Sequence, residues 1–213
     1  AGAVGGVTTL KNPILAARAV MDHTPHVLLT NQGAEAFAKN MRLELVKPNY
    51  FHTDHRWRQL QEWKKKKAEG KNTFLDGKHA DYFGTVGCVA LDAKGNIAAG
   101  TSTGGLTGKQ FGRIGDSPII GAGTYANNKT CGISCTGHGE YFIRYAVAHD
   151  ISSHMEYKKS TLAEAARDIV QIKLKKAKGS GGIIGLDAKG NIVMEFNSPA
   201  MNRGYIDKNG KLH

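Results

Sequence analysis

Cysteine is scarce in this chain and odd in number. Cys88, Cys131 and Cys135 are the three thiols among 213 residues, and an odd count argues against a disulfide framework. Cys131 and Cys135 fall in one strand-like stretch, KTCGISCTG. Four strand steps set their Cα atoms about 13 Å apart, beyond the roughly 7 Å that a bridge tolerates. No histidine stands at zinc-site spacing from them, which argues against a metal. Long apolar runs are missing: nothing approaches the ~18 residues of a membrane span. No signal-peptide pattern is visible. Acidic residues are short, 18 Asp and Glu against 29 Lys and Arg, for a net charge of +11. A basic balance invites a nucleic-acid reading. Much of the excess is local, however: Lys64, Lys65, Lys66 and Lys67 form one run, and Lys173, Lys175, Lys176 and Lys178 close a predicted helix. With no finger spacing and no RNA-binding signature, a solvated basic surface is the plainer reading.

Glycine is what the chain has in plenty. Its 27 residues are nearly double the usual share and cluster around Thr/Ser-rich stretches, where loops need φ > 0 or close backbone approach. Otherwise 40% hydrophobic and 22% charged residues describe an ordinary globular chain, long enough for one domain with a core. It opens without Met on AGAVGGV, so an upstream segment is expected.

The pattern along the chain predicts a Gly-rich strand in residues 1–9. A helix follows, capped by Asn12 with Pro13 at its first position and apolar around most of its circumference, hence well buried. HVLLT (26–30) reads as a strand and NQGAEAFAKN as a short helix. From about 49 to 84 the expectation is a mobile connector containing one helix capped by Thr53. Its Trp57 and Trp63 are expected to anchor it to the body rather than to stack on bases. VGCVALDAKGNIAAGT then reads as a hairpin turning at Lys94-Gly95-Asn96, and the same turn recurs in GGIIGLDAKGNIVMEF. Between them lie a strand (TCGISCTG), a helix from about Gly139 through EYFIRYAVAHDISSHM, and a helix with a capping box, Thr161 and Glu164. Strands and helices in runs, not in strict alternation, imply an α+β class: antiparallel sheets with helices packed outside.

Four stretches carry chemistry. Gly84-Thr85 opens a strand directly after the connector. A threonine hydroxyl needs an adjacent base to act as a nucleophile. Cleavage of the Gly84–Thr85 bond would supply one, since an α-amine titrates near 7.7 to 8.0, as on reference peptides. The plainer reading is a turn followed by a strand. In TSTGG (101–105), Thr103 is placed to hydrogen-bond that nucleophile, or else simply ends a strand. In GRIGDSP, Arg113 and Asp116 suit a zwitterion, Arg for a carboxylate and Asp for an ammonium; the alternative is an Arg113–Asp116 salt bridge. In CTGHGE, Thr136 and the Gly137 N–H suit an oxyanion hole, or Thr136 caps a helix. His138 reads as a polar neighbour.

In order and combination, GTVG, TSTGG, GRIGDSP, GAG, YANN and CTGHGE closely resemble the plant-type asparaginase and isoaspartyl peptidase family of N-terminal-nucleophile hydrolases. The resemblance covers nearly the whole chain and is most specific from residue 84 to 139. It implies a single domain with a four-layer αββα sandwich, cut between Gly84 and Thr85 into an α piece (1–84) and a β piece (85–213). It implies Thr85 as nucleophile, Thr103 as its support, and Thr136 and Gly137 at the oxyanion. Arg113, Asp116, His138 and Gly139 complete the substrate site. Gly84 and TSTGG, rather than Asp and TSTNG, favour this branch over the glycosylasparaginases. The family's opening strand, its His-Gly-Gly-Ala-Gly motif and its cation-binding loop have no counterpart here, so the fold is expected to lack its N-terminal part. The implied substrates are L-asparagine and β-aspartyl dipeptides, with no cofactor beyond a structural Na or K ion whose loop is absent. The implied assembly is an αβ heterodimer pairing into a dimer of αβ units, with no nucleic acid and no membrane, in the cytoplasm or alternatively the periplasm. A non-catalytic remnant and a basic nucleic-acid module remain the two competing classes.

Overall fold

The computed structural model describes residues 1–70 and 84–213; of the connector expected over 49–84, residues 71–83 lie outside the described residues. Strand β1 (Ala3–Gly5) pairs in parallel with β2 (Leu28–Thr30), and helix α1 (Pro13–His23) crosses between them. Asn12 and Pro13 hold the expected cap positions, although the Asn12 side chain makes no cap bond. Helix α1 is less buried than its apolar circumference suggests. Ala16, Ala19 and Val20 are covered, whereas Ile14, Leu15 and Met21 face solvent. The strand partners of α1 are β1, β2 and, later in the chain, β4 (Ile97–Ser102), which cover one face only. Helix α2 (Asn31–Asn40) follows, and a 3-10 turn (Pro48–Phe51) leads into α3 (Asp54–Ala68).

Thr53 caps α3, its Oγ accepting from the Arg56 N–H at 3.3 Å. Asp54 in the first turn and Lys65, Lys66 and Lys67 in the last complement the helix dipole. Trp63 is 8% exposed and its indole lies flat against Gly108, where a Cβ would collide with the ring. Trp57 is 48% exposed. So α3 is pinned to the body by one tryptophan, and that ring is not free to stack on a base.

The second half is antiparallel. Strand β3 (Val86–Leu91) pairs with β4, from Val86 opposite Ser102 to Leu91 opposite Ile97. Strands β5 (Thr124–Ala126), β6 (Cys131–Gly137), β7 (Gly181–Asp187) and β8 (Ile192–Phe196) form a four-stranded sheet in that order. One face of this sheet carries α4 (Gly139–Tyr145), α5 (Val147–Tyr157) and α6 (Leu162–Arg167), the last continued by a π-helical stretch (Asp168–Leu174). Buried Leu162, Ala165, Ala166, Ile169 and Val170 repeat at i, i+3, i+4, i+7 and i+8, one stripe of a helix. They pack with Phe142, Ile151, Ile133 and Ile183 into the main core. The Thr161–Glu164 capping box is formed.

The single helix expected from Gly139 is two. Ala146 turns left-handed (φ 46°) between α4 and α5. The cause is a long-range contact: the α5 N–H groups of Ala148 and His149 donate to the carbonyls of Ala122 and Gly121, which redirects the helix.

Strand β6 divides its residues by parity. Cys131, Ile133 and Cys135 point into the helical core. Burial pushes the Cys131 thiol up to about 12 and the Cys135 thiol well above its ordinary range, so both stay neutral. Gly132 and Ser134 face β3 and β4 instead. A Cβ on Gly132 would come within 2.6 Å of Val89 and Ile97, and one on Gly87 would collide with the Ser134 hydroxyl. Small residues thus let the two sheets approach face to face.

Candidate active site

That contact fixes where the threonines lie. Ser134 Oγ meets Thr101 Oγ at 2.7 Å, beside Gly87, the cross-strand partner of Thr101. Gly132, two residues back along β6, meets Val89 and Ile97, farther along the hairpin. Two residues in the other direction, the same register brings Thr85, Thr103 and Thr136 to one end of the facing sheets. Thr85 and Thr103 are one step beyond the Val86–Ser102 pair, and there the Thr85 hydroxyl donates to Thr103 Oγ at 3.1 Å. The Gly105 N–H also donates to Thr103 Oγ, at 3.0 Å, which orients it. Thr136 lies within β6, so it is not a helix cap; His138 holds that position for α4.

The loop after β4 carries the charged residues. Arg113 forms a two-pronged ion pair with Glu140, Nε to Oε1 at 2.8 Å and Nη2 to Oε2 at 2.9 Å. The guanidinium holds the Glu140 carboxyl below its usual range. The alternative of an Arg113–Asp116 bridge is replaced by this pair. Asp116 is 6% exposed, and its Oδ2 has no hydrogen-bond partner among the described residues. Burial raises its pKa to about 6 against the pull of Arg113. Both groups converge on Gly139: a Cβ there would stand 2.8 Å from Arg113 Nη2 and 2.8 Å from Asp116 Oδ1. Gly139 thus packs tightly between the guanidinium and Asp116, where any side chain would force one of them to move. A buried carboxylate oxygen without a partner, Asp116 Oδ2, is costly unless a donor reaches it.

Gly137 has φ 144° and lies against the Ser180 carbonyl and Gly181, where a side chain would clash. The His138 N–H donates to Ser180 O at 2.9 Å, and burial lowers the His138 pKa, which favours the neutral imidazole. Beside Arg113 opens a cleft of about 480 Å³ walled by Leu106, Lys109, Gln110, Phe111 and Glu140.

The structure therefore joins Thr85 to Thr103, and Arg113 and Asp116 to Gly139, as the motifs suggest. Three neighbours of these residues had no sequence signal of their own, and a fourth, Trp63, was expected to anchor to the body without its contact being foreseen. Glu140 belongs to CTGHGE, but its partner is 27 residues away. Lys109 enters the cleft from a stretch without periodicity. Arg56 of α3 has its guanidinium against Gly84, where a Cβ would collide with it. Trp63 braces the loop at Gly108. The helix expected within the connector offered no hint of what it would touch. Among the described residues no group of three or more His, Cys, Asp or Glu side chains could hold a metal ion, and no helix is long and apolar enough to cross a membrane.

The site thus has two parts, a threonine pair at the end of the β3–β4 hairpin and an Arg113–Asp116 pair around Gly139, and sequence comparison gives the family that carries them. A family model described as asparaginase matches residues 1–213. The chain is 49% identical over 208 residues to an isoaspartyl peptidase of Escherichia coli, covering 96% of this chain and 64% of that protein. It is 47% identical over 210 residues to an isoaspartyl peptidase of Salmonella typhimurium, 96% of this chain and 66% of the relative. Identity to a human isoaspartyl peptidase/L-asparaginase is 40% over 213 residues, all of this chain and 67% of the relative. The chain belongs to the asparaginase family, and it spans about two thirds of the length of these relatives.

Proposed function

We propose that this chain is a self-cleaving threonine amidohydrolase acting on L-asparagine and on β-aspartyl dipeptides. The observation that carries the reading is the Thr85–Thr103 hydrogen bond directly after Gly84. Thr85 Oγ attacks the Gly84 carbonyl carbon and its proton passes to the Thr85 nitrogen. The C–N bond breaks to leave an ester, and water hydrolyses it to the Gly84 carboxylate and a free Thr85. Pieces 1–84 and 85–213 result. The new α-amine, near its working pKa, takes the proton from Thr85 Oγ as that oxygen attacks the substrate amide, and returns it to the departing ammonia or amino acid. Water then releases aspartate. Thr103 orients the nucleophile, while Thr136 and the Gly137 N–H hold the oxyanion.

Arg113 has five N–H donors, of which Glu140 takes two, leaving both on Nη1 and one on Nη2 for the α-carboxylate. The substrate ammonium is held by Asp116, whose Oδ2 has no other partner among the described residues. No step passes through a metal, and the alkali-ion loop implied by the family resemblance is not among these residues. Packing of α1 on β4, of the β3–β4 hairpin on β6 and β7, and of α5 and α6 beyond supports the four-layer αββα arrangement. The proposed assembly is an αβ heterodimer that pairs, in the cytoplasm. The nucleic-acid alternative loses its platform with the buried Trp63. The test is release of aspartate from L-asparagine and β-aspartyl-leucine by the purified chain. Turnover of either, abolished in Thr85→Ala, supports the reading; turnover that survives in Thr85→Ala contradicts it.

A further inference from the structure

The cleft beside Arg113 holds a second cation that the proposed chemistry does not use. Lys109 lines it, and its ammonium donates to the Gly104 carbonyl at 3.1 Å. The next residue, Gly105, has its N–H on Thr103 Oγ and would bring a Cβ to 3.0 Å from Lys109 Nζ. The ammonium and the Thr103 hydroxyl therefore flank the same two glycines. Lys109 as a whole is exposed, and the far end of its side chain, Cδ to Nζ, lies along Gly105. Partial desolvation, then the charge of Arg113, lowers its pKa. An ammonium has three donors; Gly104 takes one, and no carboxylate bridges Lys109 among the described residues. Among the described residues Glu140 is the one carboxylate of the cleft wall, and Arg113 holds both its oxygens. The ammonium of Lys109 is left without an anion among the described residues.

A β-aspartyl dipeptide differs from asparagine by a second carboxylate, on the leaving amino acid and one carbon from the scissile nitrogen. Lys109 holds Gly104, the neighbour of the Thr103 that bonds Thr85, which sets its ammonium on the nucleophile's side of the cleft, where such a second carboxylate would be received. We propose that Lys109 is a specificity-determining residue that binds the α-carboxylate of the leaving amino acid. It favours dipeptides over asparagine, whose leaving group has no carboxylate, and over longer isoaspartyl peptides, whose next residue carries an amide there. Its exposed position leaves the side chain of the leaving residue directed to solvent, so the carboxylate is read and the side chain is not. The inference rests on the amidohydrolase reading.

The experiment compares kcat/KM for β-aspartyl-leucine, β-aspartyl-leucinamide and L-asparagine in the wild-type chain, Lys109→Met and Lys109→Arg. The wild type is expected to prefer the dipeptide to its amide by about tenfold, the scale of a charge-assisted contact. That preference needs no variant to be seen. Lys109→Met is expected to erase it through KM, lowering the dipeptide-to-asparagine ratio about tenfold, and Lys109→Arg to restore most of it. Equal losses on all three substrates would make Lys109 a brace for Gly104 and overturn the proposal alone, as would a wild type indifferent to the amide. A wild-type chain that turns over none of the three overturns the amidohydrolase reading and this inference with it.

Discussion

The hairpins at residues 86–102 and 181–196 share Leu-Asp-Ala-Lys-Gly-Asn-Ile across their turns and fold that stretch the same way. Asp92 Oδ1 accepts from the N–H groups of Lys94 and Asn96, and Oδ2 from the Asn96 amide; Asp187 does the same with Lys189 and Asn191. What surrounds the two turns differs. Strand β7 has a hydrogen-bonded neighbour on each side and helices over one face, whereas among the described residues β3 pairs with β4 alone. Seven residues before each turn aspartate stands a hydroxyl, Thr85 in one hairpin and Ser180 in the other. Thr85 meets Thr103 one step beyond its hairpin, while the Ser180 backbone is tied to His138. The same local code thus yields a core hairpin in one setting and, in the other, a hairpin that ends on the pair of hydroxyls proposed to react.

Breaking that asymmetry is most costly at the hydroxyls. Thr85→Ala is expected to abolish self-cleavage and to reduce turnover by about 10⁴-fold or more, as loss of a nucleophile does. Ser180→Ala, which keeps the Ser180 carbonyl, is expected to cleave as the wild type does; gel analysis of both variants checks this. Next come the strands. Ile183→Ala in β7, fully buried, is expected to cost about 3 kcal/mol in urea unfolding. Val86→Ala in β3, where the side chain is 69% exposed, is expected to stay within ~0.5 kcal/mol.

Two carboxylates sharpen the contrast further. Asp187 and Asp116 are both 6% exposed, but Asp187 is satisfied by its turn whereas Asp116 Oδ2 is orphaned. Asp187→Asn is expected to destabilise by about 2 kcal/mol, since an amide group cannot accept all three bonds. Asp116→Asn is expected to stabilise. With its pKa raised to about 6, the folded chain keeps the Asp116 proton through a pH range where the unfolded chain has released it. The group therefore favours folding below about pH 4, and that contribution is lost as pH rises through 6. The Asn variant should match the wild type near pH 4 and gain up to roughly 3 kcal/mol at pH 7, while losing substrate binding. Urea melts at the two pH values test the sign. Activity should follow the same group: protonation of Asp116 should lower kcat/KM about tenfold per pH unit below 6, with kcat much less affected.

The legible parts of the molecule are those fixed by neighbours in sequence. Both hairpin turns, the Thr161–Glu164 box, the Thr53 cap and the α+β class follow from residues two to four apart, or from the order of elements. The Thr85–Thr103 meeting follows as well, because a hairpin register extends by one step. Contacts across the fold were not legible. The break at Ala146 depends on carbonyls of Gly121 and Ala122. The exposed side of α1 depends on which strands reach it, and the short β5 exists through its pairing with β6. In the site, the spacing of Arg113 and Asp116 pointed to a charged pair of opposite sign, and the structure brings both against Gly139. That Glu140 occupies the guanidinium, and that burial leaves Asp116 unsatisfied, are properties of the packed loop and of no single motif.

The central claim is that Thr85 is set free by its own attack on Gly84, and intact mass of the denatured chain, fresh and after incubation, tests it most directly. The expected result is two pieces that sum to the 22.9 kDa chain plus one water, the larger beginning at Thr85. A single mass that persists through incubation, or a cut at any other bond, would contradict the account.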